Sequence, residues 1–149
     1  MRTINQIVIH CSATEQWRDV SVEEIRQWHL RRGFSDVGYH FVIDLNGKVH
    51  TGRHVSIQGA HAAGYNANSI GICYVGGLAR GTLEPMDTRT PKQKESLVNI
   101  VAMLKNIFPI KSIDGHRDLS VDLNGDGVIT PNEWMKSCPC FDVHKEFKV

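Results

Sequence analysis

Gln6-Ile7-Val8-Ile9-His10-Cys11 is a short, β-branched run of the kind that fills a central strand covered on both sides. Strand alternation puts Val8 and His10 on one face and Ile7, Ile9 and Cys11 on the other. Helical and strand signals then alternate along the chain. Ser21 followed by Glu24 reads as a capping box, and Ile25, Trp28 and His29 continue an apolar stripe to Gly33. Tyr39 to Asp44 and Lys48 to Thr51 read as two strands joined by a turn at Asn46-Gly47, with Tyr39, Phe41 and Ile43 on one face and His40 opposite. Ile70 to Val75 is a further strand, ended by Gly76-Gly77. Thr90-Pro91-Lys92-Gln93 opens a helix whose Leu97, Ile100, Val101, Leu104 and Phe108 recur at helical spacing. Ser112-Ile113-Asp114 closes one more short strand, and the tail from Asp142 carries no clear pattern. The expected fold is α/β: a single domain over residues 1–149 with a mixed central β-sheet flanked by helices.

Composition agrees with that reading. The chain has 149 residues, 41% of them hydrophobic, and 17 Lys plus Arg against 16 Asp plus Glu give a net charge of +1. One core fits this length, and the balance excludes a disordered tail and offers no general reason to expect nucleic-acid binding. No window reaches the ~20 apolar residues of a membrane-spanning helix. The first residues show no secretory pattern, so synthesis in the cytoplasm with release by another route is expected, and a monomer is expected. The four cysteines, Cys11, Cys73, Cys138 and Cys140, are not needed as structural bridges in a domain of this size.

His10 at a strand end, His116 after another apolar segment and Cys138 in a proline-bearing turn are residue types suited to a zinc site that keeps a position open for water. Scattered as they are, they read by residue type alone more readily as a core histidine, a surface histidine and a small buried hydrophobe. The surrounding words carry more. Ile-Val-Ile-His10-Cys-Ser-Ala-Thr14, Gly38-Tyr39-His40-Phe41, His61-Ala-Ala-Gly64-Tyr-Asn66-Ala-Asn68-Ser-Ile-Gly71, Gly115-His116-Arg-Asp118 and Lys136-Ser-Cys138-Pro-Cys-Phe-Asp142 occur in that order. Over about residues 6 to 142 this resembles the zinc N-acetylmuramoyl-L-alanine amidases of the phage-lysozyme and peptidoglycan recognition protein superfamily.

The resemblance implies that His10, His116 and Cys138 hold Zn2+, that Tyr39 orients or deprotonates a water molecule, and that Lys136 stabilises an anionic intermediate. The bond it implies is the amide between N-acetylmuramic acid and the L-alanine of the peptidoglycan stem. His61, Asn66 and Asn68 either line the substrate groove or fix a loop. Two departures stand out. Cys140 occupies a place where the family usually has Gly or Ser, making it and Cys11 rivals to Cys138; Cys138 is preferred because it directly precedes the proline. The second departure is an insertion, residues 120–135.

Within it Asp122, Asn124, Asp126, Val128 and Glu133 fall at positions 1, 3, 5, 7 and 12 of an EF-hand loop, with Gly127 at the turn. A single structural Ca2+ holding the link between His116 and Cys138 is the expectation. Superfamily resemblance also leaves two non-catalytic alternatives. One is peptidoglycan binding without hydrolysis, less favoured because Cys138 and Tyr39 are both present. The other is a partner-binding role like that of phage members that inhibit an RNA polymerase. Cytoplasmic wall recycling is the lesser enzymatic reading, since those amidases generally carry Asp at the place of Cys138.

Overall fold

The computed structural model describes residues 1–149. β1 (Gln6–Cys11) lies inside a five-stranded sheet, parallel to β5 (Ser69–Tyr74) on one side and to β7 (Ser112–Gly115) on the other. Beyond β5 come β3 (Phe41–Ile43), also parallel, and β4 (Val49–Thr51), which returns antiparallel and gives the order β4-β3-β5-β1-β7. The sheet is therefore mixed, with its one antiparallel strand at an edge. A separate two-stranded ribbon pairs β2 (Thr14–Glu15) with β6 (Gly77–Leu78). These two-residue strands are too short to leave a periodic signal.

Alternation in β1 sorts the two faces. Ile7, Ile9 and Cys11 join Ile70, Ile72 and Tyr74 of β5 in the main core. That face is covered by α2 (Pro91–Ile107), whose Leu97, Ile100, Val101 and Leu104 are buried, and by Phe141, Val143 and Phe147 around α3 (Val143–Glu146). The tail thus forms a short helix because two aromatic side chains and a valine find the core, although its sequence shows no period. On the opposite face α1 (Val22–Arg31) lays Ile25 against Val42, Cys73 and Val75.

The caps show which signals were sufficient locally. At α2 the box closes in both directions: Gln93 N–H donates to Thr90 Oγ1 at 3.1 Å and Thr90 N–H to Gln93 Oε1 at 2.9 Å. At α1 Ser21 Oγ accepts from Glu24 N–H at 3.1 Å, while the Glu24 carboxylate turns to Arg18 instead of completing the box. The larger correction concerns Tyr39. β3 begins only at Phe41, the chain bends over residues 38–40, and Tyr39 packs with the α1-side cluster while Phe41 and Ile43 belong to the main core. Alternation fails there because the chain bends before β3 begins, although the His40 N–H already donates to the Gly71 carbonyl at 2.9 Å.

Candidate active site

The C-terminal ends of the parallel strands converge on one edge of the sheet, where open α/β sheets place their sites. His10 is the penultimate residue of β1, and His116 follows the last residue of β7 in a 3-10 turn (His116–Leu119). Cys138 is delivered from far along the chain by backbone hydrogen bonds. Cys11 N–H donates to Cys138 Sγ at 3.2 Å, and Arg117 N–H donates to the Cys138 carbonyl at 2.8 Å. Cys138 Sγ then lies 3.9 Å from His10 Nδ1, and one donor atom from each of His10, His116 and Cys138 lies within 4.8 Å of the others. Donors on a tetrahedral zinc stand roughly 3.3 to 3.6 Å apart, so a small closure of these side chains suits that ion.

Protonation favours the same use. His10 is buried, and burial followed by the neighbouring His61, His116 and Lys136 holds its pKa well below the ordinary histidine value. Burial and then Lys136 lower His116 to about 4. Both rings are therefore neutral at pH 7, as ligands must be. His10 Nε2 lies 2.9 Å from His61 Nδ1, and His61 Nε2 lies 3.2 Å from Ser69 Oγ. With a proton on each Nε2, His10 donates to His61 and His61 to Ser69, which leaves His10 Nδ1 free on the side of Cys138.

Gly71, in the middle of β5, makes room for this relay. A Cβ there would come within 2.5 Å of His61 Cγ. A glycine inside an apolar strand marks such a close approach, and it was the one sequence signal for the relay. Ser69 had none.

Tyr39 sits beside the trio, its ring centroid 5.1 Å from that of His10, and burial pushes its phenol well above the usual value. Lys136 is exposed, yet it adds to the lowering of both His10 and His116, so its charge is felt at the site. The groove candidates behave differently from one another. His61 is buried behind His10. Asn66 Oδ1 accepts from the N–H groups of His61 and Ala62, each at 2.9 Å, and Asn68 Nδ2 donates to the Thr3 carbonyl at 2.9 Å. Both asparagines hold the loop that presents His61. Cys11 points to the main core, Cys140 lies beside it, and neither joins the His-His-Cys cluster.

The insertion forms a turn-rich loop with no flanking α-helix and a 3-10 turn (Pro131–Glu133) near its end. Carboxylate oxygens of Asp122, Asp126 and Glu133 gather within 4.8 Å of one another. Asp122 accepts from Gly125 and Gly127 N–H at 2.9 and 2.7 Å, and Asn124 Oδ1 accepts from Asp126 N–H at 3.1 Å. Asp126 accepts from Val128 N–H at 2.9 Å, while Gly127 takes φ +82°, which a side chain would resist. At the loop's base Met135 N–H donates to Ser120 Oγ at 3.0 Å, and the Arg117 guanidinium lies 3.9 Å from the Trp134 ring centroid.

Comparison with known proteins assigns this arrangement to a class. The chain matches the N-acetylmuramoyl-L-alanine amidase family over residues 1–140. The amidase LysC from Clostridium intestinale URNW superposes with a TM-score of 0.72 at 26% identity, over 95% of this chain and 79% of that one. Similarity to the endolysin of Enterobacteria phage K11 is 39% identity over 145 residues, 97% of this chain and 85% of that protein. The endolysin of Escherichia phage T7 is 38% identical over 140 residues, 93% and 82% of the respective chains. The chain belongs to the N-acetylmuramoyl-L-alanine amidase family and is an enzyme of that class.

Proposed function

We propose that this amidase is an endolysin-like zinc hydrolase acting on the amide between N-acetylmuramic acid and L-alanine in peptidoglycan. The observation that carries the reading is the approach of one ring nitrogen each from His10 and His116 and of Cys138 Sγ to within 4.8 Å at the sheet edge of a chain in this family. The donor set fits: two neutral imidazoles and a thiol, with His61 holding the first ring in place. When bound, zinc supplies Lewis acidity to the scissile carbonyl and to a water molecule.

The chain's own residues do the rest. Tyr39 keeps its proton on Oη at neutral pH, because burial raises its pKa, and orients the attacking water by hydrogen bonding. The Lys136 ammonium meets the negative charge that develops on the carbonyl oxygen. His61, by accepting from His10 Nε2, keeps His10 Nδ1 unprotonated and aimed.

We also propose that Asp122, Asn124, Asp126, the Val128 carbonyl and Glu133 hold a structural calcium ion. The support is the twelve-residue spacing together with the gathered carboxylates. Three carboxylates this close repel one another unless a cation lies among them.

Elemental analysis is expected to find one zinc per chain, and incubation with purified peptidoglycan to release soluble peptides that begin with L-alanine. Cys138→Ser should lose the zinc and lower the rate by more than about 100-fold. Binding of peptidoglycan with no released product would instead establish recognition without hydrolysis. Products cut between sugars or within the stem would overturn the bond assignment.

A further inference from the structure

Three of the four cysteines meet at one place, and only one of them is used by the proposed metal site. Cys73 is fully buried among the α1-side residues, on the face of the sheet opposite Cys11. Cys11 and Cys140, separated by 129 positions in sequence, bring their Sγ atoms to 4.0 Å. Gly77 gives them a notch: a Cβ at that residue would lie 2.5 Å from Cys11 Sγ, and Cys140 Sγ lies 3.4 Å from the Gly77 carbonyl oxygen. Cys11 is buried at 5% exposure, whereas Cys140 is partly open to solvent. The backbone on the Cys140 side is held by Tyr74 Oη, which donates to the Pro139 carbonyl at 2.5 Å.

We propose that Cys11 and Cys140 form a disulfide when the folded chain meets a small-molecule disulfide, and that this bond fastens the end of β1 to the segment carrying Cys138. Closing the bond requires the two sulfurs to approach by about 2 Å, to the ~2.05 Å of an S–S bond, which side-chain rotation can supply. In the first exchange Cys140 Sγ, the more accessible of the two, attacks the reagent, forming a mixed disulfide and releasing one thiol. In the second, Cys11 Sγ attacks Cys140 Sγ, forming the protein bond and releasing the second thiol. Two protein thiols are oxidised, one reagent disulfide is reduced, and both protons leave on the released thiols.

The bond joins residues immediately beside two proposed ligands, since Cys11 follows His10 and Cys140 lies two residues after Cys138. Cys11 N–H already donates to Cys138 Sγ at 3.2 Å, so the cross-link reinforces an existing contact and leaves the Cys138 sulfur to the metal. The formation of the bond stands apart from the zinc reading, whereas its effect on metal retention rests on it. The long closed loop makes a large constraint on the unfolded chain.

The test treats the zinc-loaded protein with oxidised glutathione under native conditions and compares it with Cys140→Ser. Oxidised wild type is expected to be two hydrogens lighter, to show the tryptic segments 3–18 and 137–145 joined, to keep its zinc, and to melt roughly 5 to 10 °C higher. Cys140→Ser is expected to give no cross-link. An unchanged mass overturns the proposal, as does a cross-link that persists in Cys140→Ser, because Cys138 would then be the partner. A Cys140-dependent cross-link in a chain that never held zinc leaves the bond standing and removes the metal reading.

Discussion

His61 illustrates how much a single side chain owes to its neighbours. Its ring is bracketed by His10 Nε2 at 2.9 Å and Ser69 Oγ at 3.2 Å, and burial lowers its pKa to about 3. From that position, buried behind His10, it is placed to orient the proposed first ligand. His61→Ala should therefore leave the fold intact and weaken zinc binding by about 10- to 100-fold, read by competition with a chromogenic chelator. Affinity equal to wild type would show that His10 needs no orienting partner. The other histidines serve the scaffold in comparable ways. His29 Nδ1 accepts from Gly38 N–H at 2.8 Å, and His40 accepts from Gly71 N–H at 3.0 Å and donates to the Ile57 carbonyl at 2.8 Å.

Among the elements, the insertion between Asp118 and Lys136 is the one for which we propose a cation. Its base is closed by the Met135 to Ser120 hydrogen bond and by Arg117 stacked on Trp134, so a cation at the tip acts on a loop with a fixed root. Adding calcium to zinc-loaded, calcium-free protein is expected to raise the melting temperature by roughly 5 to 10 °C at about 100 times the dissociation constant. Glu133→Ala, which removes the proposed bidentate ligand, should abolish that shift while leaving zinc content unchanged. A shift of equal size in the variant would mean that calcium acts elsewhere.

Taken as a whole, the molecule buries its histidines neutral. His40 and His116 are lowered to about 4 and His61 to about 3, chiefly by burial, whereas His144, paired with Asp114 at 2.7 Å, is raised. For the lowered group the folded chain resists protons that the unfolded chain accepts below its ordinary histidine pKa near 6.5. Their contribution to stability is complete above that pH and is lost as pH falls toward about 4. His40 is not among the proposed ligands, so His40→Gln removes one such proton without altering them. Urea titrations of the metal-free protein should show the stability slope between the two pH limits reduced by about 1.4 kcal/mol per pH unit in the variant. An unchanged slope would mean that His40 is already accessible to protons when folded.

Local rules made much of the scaffold readable from sequence. The β1 run, the Thr90-Pro91-Gln93 cap and the 3.6-residue period from Leu97 to Leu104 each depend on near neighbours, and each produced the element it announced. Motif order likewise placed the chain in its family before any coordinates, since five words spread over most of the chain constrain one another. The face on which Tyr39 lies was not readable, because a bend over residues 38–40 cancels strand alternation and only packing against α1 orients the ring. Nor were the His10–His61–Ser69 relay and the Cys11–Cys140 approach, which join residues 51, 8 and 129 positions apart. The chain's own order therefore determined which side chains are present and which strands and helices carry them. Distances between side chains far apart in sequence were decided only when the parallel strands aligned, because sheet register and close packing, not spacing along the backbone, bring such atoms together.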